Sequence, residues 1–335
     1  MITRRSVVGL PPALSIAQAF LDLKKETVQA TGFPYIAYSI SDRFGRRIRF
    51  FVTQEEDNAS KLPLIVSILG SGADSNFLKR GDRLLDGHRV LREVFKGRAR
   101  IAIVEKPGLQ LGEHPEHMGT SEGPNEEFRR EYTLERWSEA ISAAMRAAAT
   151  LPYIDSSRTL VVGHSEGGLV ACTVAAMNPF VTHVASLAGG GPTRLFSLIE
   201  FCRAGILYKD VSDDPKDRVK KLVDDWQQVL RDPESSSKLF LGHSHRAWTS
   251  FARSSCVSAL NLTKARVYIW QGTEDKSVAP AATDVLYAEL LARGRDCTLD
   301  WVVGADHGFK IAAEPARDVQ REVFERIRLW FTGSS

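Results

Sequence analysis

The stretch Thr159-Leu160-Val161-Val162-Gly163-His164-Ser165-Glu166-Gly167-Gly168-Leu169-Val170 decides the fold. It opens as a compact β-run, passes through Gly-x-Ser-x-Gly, and continues into a helix-compatible run. The spacing has a steric reason. A serine on a sharp, strained strand-to-helix turn leaves no room for side chains two residues to either side. Such a turn pushes the serine oxygen into a cleft and places the following N–H at a helix start. Ser165 is therefore the candidate nucleophile.

Outward from this stretch, short β-rich runs alternate with helical periods. Residues 35–40 and 47–53 read as antiparallel strands around Asp42-Arg43-Phe44-Gly45. Compact apolar runs follow at 64–69, 100–104, 159–162, 181–187, 265–270 and 298–303. Runs that are apolar without alternation suit strands buried on both faces, as in a parallel sheet. Helices fill the gaps: one over 126–150, with Phe128, Leu134, Trp137, Ile141, Met145 and Ala148 on its apolar face, one over 280–293 closed by Gly294, and one over 315–331. The pattern predicts an α/β architecture, a doubly wound, mostly parallel sheet of eight strands with ligands beyond the strands' carboxyl ends. The segment 191–259 breaks the rhythm. Val219, Leu222, Val223, Trp226, Val229 and Leu230 recur at helical spacing after Asp214-Pro215, so it reads as a helical cap inserted between core segments 20–190 and 260–335.

Composition narrows the function. Of 335 residues, 44 Lys and Arg against 41 Asp and Glu leave a net charge of +3, with 43% hydrophobic residues. That is an ordinary globular composition, and no basic block of the kind that grips phosphates is present, so no nucleic acid is expected. Cys172, Cys202, Cys256 and Cys297 are far apart, which argues against structural zinc. His243 and His245 could pass for a metal pair, but no third ligand accompanies them, so no metal is expected. No cofactor is expected either, since no dinucleotide or P-loop motif occurs. At the N-terminus, Arg4-Arg5 precedes an uncharged run over 6–21 that contains Ala17-Gln18-Ala19. This reads as a twin-arginine-type export signal over 1–19, implying a periplasmic or secreted protein with no membrane span once matured, and a cytoplasmic one if the stretch is not a signal.

From residue 35 to 331 the chain resembles the α/β-hydrolase superfamily, its serine esterases and its prolyl-oligopeptidase-like branch. Gly163-His164-Ser165-Glu166-Gly167 is similar to the nucleophile elbow of that family, and Ile154-Asp155-Ser156-Ser157-Arg158 to the approach to it. The resemblance implies a Ser, then acid, then His order. Gly272-Thr-Glu274-Asp275-Lys-Ser-Val278, after a strand, resembles the acid loop, which implies Asp275, with Glu274 as the neighbouring rival. Gly304-Ala-Asp306-His307-Gly308, after the next strand, resembles the base loop, which implies His307 as general base with Asp306 beside it. His164, though next to the nucleophile, is expected to be structural.

The resemblance also implies an oxyanion hole. One donor would be the backbone N–H of Glu166 and the other that of Ser71, in Leu69-Gly70-Ser71-Gly72-Ala73-Asp74. Leu69 departs from the family pattern, which often has histidine there, and Gly72 lies one step from Ser71. Candidate substrate contacts are Gly72, Lys106, Leu109, Phe196 and Trp248. The implied reaction is cleavage of a carboxylic ester, with the substrate a small-molecule ester or short peptide. Peptidase or amidase chemistry, acyl transfer to another acceptor, and a non-catalytic binding protein of the same fold stay open.

Overall fold

The computed structural model describes residues 26–30, 33–54, 60–115, 117, 119–122 and 125–333. The segment read as an export signal lies outside them. Strands β1 (Glu26–Ala30), β2 (Phe33–Ser41), β3 (Arg47–Thr53) and β4 (Leu62–Ile68) come first. A hairpin of β5 (Phe77–Arg80) and β6 (Arg83–Asp86), helix α1 (Arg89–Phe95) and β7 (Arg100–Val104) follow. Helices α2 (Glu126–Glu131) and α3 (Leu134–Ala148) lead to β8 (Ile154–His164), α4 (Glu166–Met177) and β9 (His183–Leu187). Next come α5 (Arg194–Arg203), α6 (Pro215–Arg231), β10 (Leu239–Phe240), β11 (His243–Ser244), α7 (His245–Ala252) and α8 (Cys256–Leu260). The chain closes with β12 (Arg266–Gly272), α9 (Pro280–Ala292), β13 (Cys297–Val302) and α10 (Val319–Thr332).

The main sheet runs β1-β2-β3-β7-β4-β8-β9-β12-β13. Pairing is antiparallel from β1 to β7 and parallel from β7 to β13. Every residue of β7 and β9 is buried, as expected for strands covered on both faces. Helices α3, α4 and α9 cover one face, with Trp137, Val170 and Leu286 in that core layer. Helices α1 and α10 cover the other, with Phe95, Val323 and Phe331. This is an α/β-hydrolase fold.

Two expectations need correction. The main sheet has nine strands among the described residues, not eight, because β1 adds itself antiparallel to β2 at the edge. The helix expected over 126–150 is two helices. Thr133 adopts an extended backbone and its hydroxyl accepts the Arg136 amide, so α3 starts afresh after α2 ends at Tyr132. Helix α6 begins as read, with Asp214 accepting the Lys216 amide and Pro215 in the first turn.

The β-α alternation sends every loop that follows a parallel strand to one end of the sheet. Ser71 follows β4, Lys106 follows β7, Ser165 follows β8, Asp275 follows β12 and His307 follows β13.

Candidate active site

Ser165 sits between β8 and α4 at φ 57° and ψ −129°, a backbone conformation that non-glycine residues adopt only at a cost of about 1–3 kcal/mol. Two hydrogen bonds hold it there, from the Ser165 amide to the Leu187 carbonyl (2.8 Å) and from the Gly168 amide to the Ser165 carbonyl (2.8 Å). The flanking glycines are required by contact. A Cβ on Gly163 would lie 1.9 Å from the Gly167 carbonyl oxygen, and one on Gly167 would lie 2.3 Å from that of Leu69.

On one side of Ser165 stands an acid–imidazole pair. Asp275 Oδ2 accepts from His307 Nδ1 (2.8 Å) and from Gln271 Nε2 (2.9 Å), while Oδ1 accepts the Ser277 and Val278 amides (2.8 Å each). Burial raises the Asp275 pKa, but the His307 bond and the two amides outweigh it, and the net direction is down. The carboxylate therefore stays ionised, with Nδ1 of His307 carrying the proton it receives. Glu274 is exposed, and its side chain does not join the pair. Asp306 shapes the loop, its Oδ1 accepting the Gly308 and Lys310 amides (2.8 Å each). His164 Nε2 donates to the His307 carbonyl (2.9 Å), and burial pushes His164 down to about 4, so it is a neutral prop behind the imidazole. No hydrogen bond joins Ser165 Oγ to His307 Nε2 in this structure, and neither atom has a hydrogen-bond partner among the described residues.

On the other side lies a buried charge cluster. The Glu166 carboxylate accepts from the Tyr132 hydroxyl and from Arg194 Nη1. Tyr132 Oη in turn accepts the Gly72 amide (3.1 Å). Burial, reinforced by Glu166, raises the Tyr132 pKa well above its ordinary value, so the phenol keeps its proton. Lys106 Nζ donates to the carbonyls of Gly70 (2.8 Å) and Gly72 (2.6 Å), and sits 4.9 Å from the Trp137 ring centroid. Burial lowers the Lys106 pKa to about 8 against the opposing pull of Glu166, Asp74 and Glu105.

A cavity of about 70 Å³ opens at Ser165, with Glu166, Leu169, Arg194, Leu198 and Val278 in its wall. Trp248 stands in the same wall, its indole donating to the Phe240 carbonyl and carrying the Arg194 guanidinium 4.3 Å above its ring. The other candidate substrate contacts lie outside that wall. The Gly72 amide is taken by Tyr132. Lys106 is 2% exposed, with its ammonium turned under the loop rather than toward the cavity. Leu109 packs in the sheet core and borders a separate cavity of about 920 Å³ along β2 and β3, which contains none of Ser165, Asp275 or His307. Phe196 misses the wall, because helix α5 presents Arg194, Ser197 and Leu198, three and four positions apart, on that face. The backbone amides of Ser71 and Glu166 have no protein acceptor among the described residues. A Cβ on Gly70 would stand 3.2 Å from the Ser165 Cβ, so the loop lies directly against the serine.

Sequence reading missed Tyr132, Arg194 and the Glu166 carboxylate. Arg194 carried a signal, since Gly189-Gly-Gly-Pro-Thr-Arg194 follows the carboxyl end of β9. Tyr132 carried none, being hidden within an apparently continuous helix. His243 and His245 do not converge: His243 Nδ1 meets Ser121 Oγ (2.8 Å) and His245 Nδ1 meets the Asp232 carbonyl (3.2 Å). All four cysteines are free thiols, three of them buried. No helix among the described residues is long and apolar enough to cross a membrane.

Among curated proteins, none matches this chain in sequence. Solved structures share its fold at low identity. Est1E from Butyrivibrio proteoclasticus is 14% identical with a TM-score of 0.52, over 92% of this chain and 99% of that one. Acetyl xylan esterase 1 from Thermoanaerobacterium sp. JW/SL YS485 is 16% identical with a TM-score of 0.55, over 94% and 89%. The uncomplexed acylaminoacyl peptidase of Pyrococcus horikoshii reaches 0.59 at 14% identity, over 92% of this chain but only 46% of that one. The family model described as "Alpha/beta hydrolase family" matches residues 79–319. On that match, which spans most of the sequence and both sides of Ser165, the chain belongs to the alpha/beta hydrolase family.

Proposed function

We propose that this protein is a serine hydrolase that cleaves a carboxylic ester through an acyl-enzyme. The reading rests chiefly on the Asp275–His307 hydrogen bond, delivered by two separate loops to the sheet end that carries Ser165 on its strained turn. A serine hydroxyl is a weak nucleophile and requires a neighbouring base oriented by an acid. In the proposed reaction Ser165 Oγ attacks the ester carbonyl as its proton passes to His307 Nε2. Asp275 holds the Nδ1–H and stabilises the imidazolium. The tetrahedral oxyanion accepts from the Ser71 and Glu166 amides, His307 returns the proton to the departing alcohol, and water repeats the sequence to release the acid. A Ser165–His307 bond that forms only with substrate bound is common, since such contacts tighten in the Michaelis complex. The helical segment between β9 and β12 supplies Arg194 and Trp248 to the cavity wall, the arrangement expected of a cap. A cavity of about 70 Å³ fits a short acyl group.

The test is covalent labelling by a fluorophosphonate, read by mass spectrometry, beside a panel of chromogenic esters of rising acyl length and matching aminoacyl anilides. Ser165 is the expected labelled residue, and short-chain esters the expected substrates. Ser165→Ala is expected to fold normally and lose ester turnover by about 10⁴-fold or more. Retained turnover in that variant would move the nucleophile elsewhere. Anilide cleavage exceeding ester cleavage would make the protein an amidase.

A further inference from the structure

We infer that Lys106 is the positioning residue of the oxyanion hole: it aims the Ser71 N–H at the reacting carbonyl by gripping the carbonyl oxygens of Gly70 and Gly72, the residues on either side of Ser71. The inference rests on the serine-hydrolase reading and adds a residue to it.

The Gly70 carbonyl and the Ser71 N–H belong to the same peptide group, and no peptide among the described residues is cis. In a planar trans peptide the C=O and N–H point in opposite directions. Lys106 Nζ reaches from β7's carboxyl end into the buried side of the loop and binds the Gly70 oxygen at 2.8 Å. The Ser71 N–H must then face the opposite side, where Ser165 lies against Gly70. A single grip would still let the loop pivot. Lys106 also binds the Gly72 oxygen at 2.6 Å, while the Gly72 amide is tied to Tyr132 and the Ala73 amide to the Thr120 carbonyl (2.8 Å). The peptide groups flanking Ser71 are thus pinned, and its own amide remains open.

The second link is electrostatic. A cation hydrogen-bonded to a peptide oxygen polarises that peptide and makes its N–H a stronger donor. Lys106 therefore contributes to the hole from behind, without touching substrate. It also explains why Leu69 can stand where a loop-stabilising histidine was expected. The loop is held by the ammonium from β7 instead.

A buried ammonium that braces a loop would have a structural effect alone, so the test needs a readout that stability does not move. Lys106→Met keeps the length and apolar stem of the side chain and removes the donor. Its kcat on a short-chain ester is expected to fall between about 10- and 100-fold with KM little changed, less than the loss of a whole donor. The discriminating measurement is the rate ratio of an ester to its thionoester. Sulfur accepts hydrogen bonds poorly, so an aimed donor favours the oxygen substrate. The ratio is expected to shrink in Lys106→Met, whereas a merely unstable enzyme loses both rates equally. Lys106→Gln, which keeps an N–H donor on a side chain one bond shorter, is expected to restore part of the ratio. Lys106→Leu, which also removes the donor, takes the place of the methionine form if that fails to fold, with the same smaller ratio expected. An unchanged ratio in Lys106→Met, or in Lys106→Leu where that stands in for it, with kcat reduced or not, would overturn the inference. Absence of fluorophosphonate labelling in the wild-type protein would instead overturn the serine-hydrolase reading.

Discussion

The two flanks of Ser165 are built on opposite plans. On one, Asp275 and His307 come from adjacent strands β12 and β13, and the imidazole edge is left half-open. On the other, Lys106, Tyr132, Glu166 and Arg194 come from four separate parts of the chain, with Lys106, Tyr132 and Glu166 buried and Arg194 partly exposed. A group that must take up and return a proton needs an unoccupied nitrogen facing the substrate. Groups that only hold a backbone in place do better buried, where each hydrogen bond is stronger and each unmet partner costlier. The contrast suggests a division of labour: one flank moves protons, while the other keeps the loop 69–74 and the start of α4 in register.

That division can be broken from either side, and the largest effect is expected on the proton-moving flank. Asp275→Asn would leave His307 in the wrong tautomer and is expected to lower kcat by about 10⁴-fold with little change in melting temperature. Glu274→Gln, one residue away and exposed, is expected to leave both unchanged. Steady-state kinetics and thermal unfolding on the pair check this, and a large kcat loss in Glu274→Gln with Asp275→Asn still active would make Glu274 the acid.

The opposite pattern is expected of Glu166→Gln. Its carboxylate meets Tyr132 and Arg194 in a site where the Glu166 side chain is 2% exposed, and removing the charge leaves Arg194 and Lys106 poorly compensated. A stability loss of about 2 kcal/mol in urea unfolding is expected, with kcat/KM reduced less than about tenfold, since catalysis would use only the backbone amide of residue 166. A large kcat loss without a stability loss would mean that the carboxylate takes part in the chemistry.

The smallest effect sharpens the contrast through pH. His88, His164 and His243 are each held down to about 4, burial being the first cause in every case. The unfolded chain takes up these protons near 6.5, while the folded protein resists until about 4, so between those values the unfolded state binds more protons. Stability is therefore full above that window and falls as the pH is lowered through it. Asp275, held below its ordinary value, adds a loss only at still lower pH. Urea midpoints are expected to drop between pH 7 and pH 5, and His88→Asn is expected to make that dependence shallower. Midpoints flat over this range would mean that these imidazoles are protonated in the folded state.

How far the sequence could be read depended on distance along the chain. The elbow was legible because its signature lies within five residues, Gly163 to Gly167, although Gly167 is required by Leu69 as well. The loops of Asp275 and His307 could be placed because each follows its own strand directly, and their candidate roles came from the family resemblance. Strand β1 escaped because a short polar run, Glu26–Ala30, has no apolar signature; pairing with β2 makes it a strand. The break at Thr133 escaped because the apolar spacing of 126–150 continues across it, although threonine before Leu-Glu-Arg is a capping signal. Leu109 and Phe196 were assigned to the cleft from loop or helix position alone, which does not say which way a side chain turns.

By itself, the sequence determined the alternation of the main strands and helices and the strained serine, because hydrophobic period and glycine sterics act over a few neighbours, while the acid and base candidates came from the resemblance of their loops to those of the family. Only the tertiary structure decided which amide is left open beside Ser165 and which cation stands behind it. Those outcomes depend on where Lys106, Tyr132 and Arg194 meet after the sheet has assembled, and contacts of that kind are set by packing between distant segments rather than by any local preference of the chain.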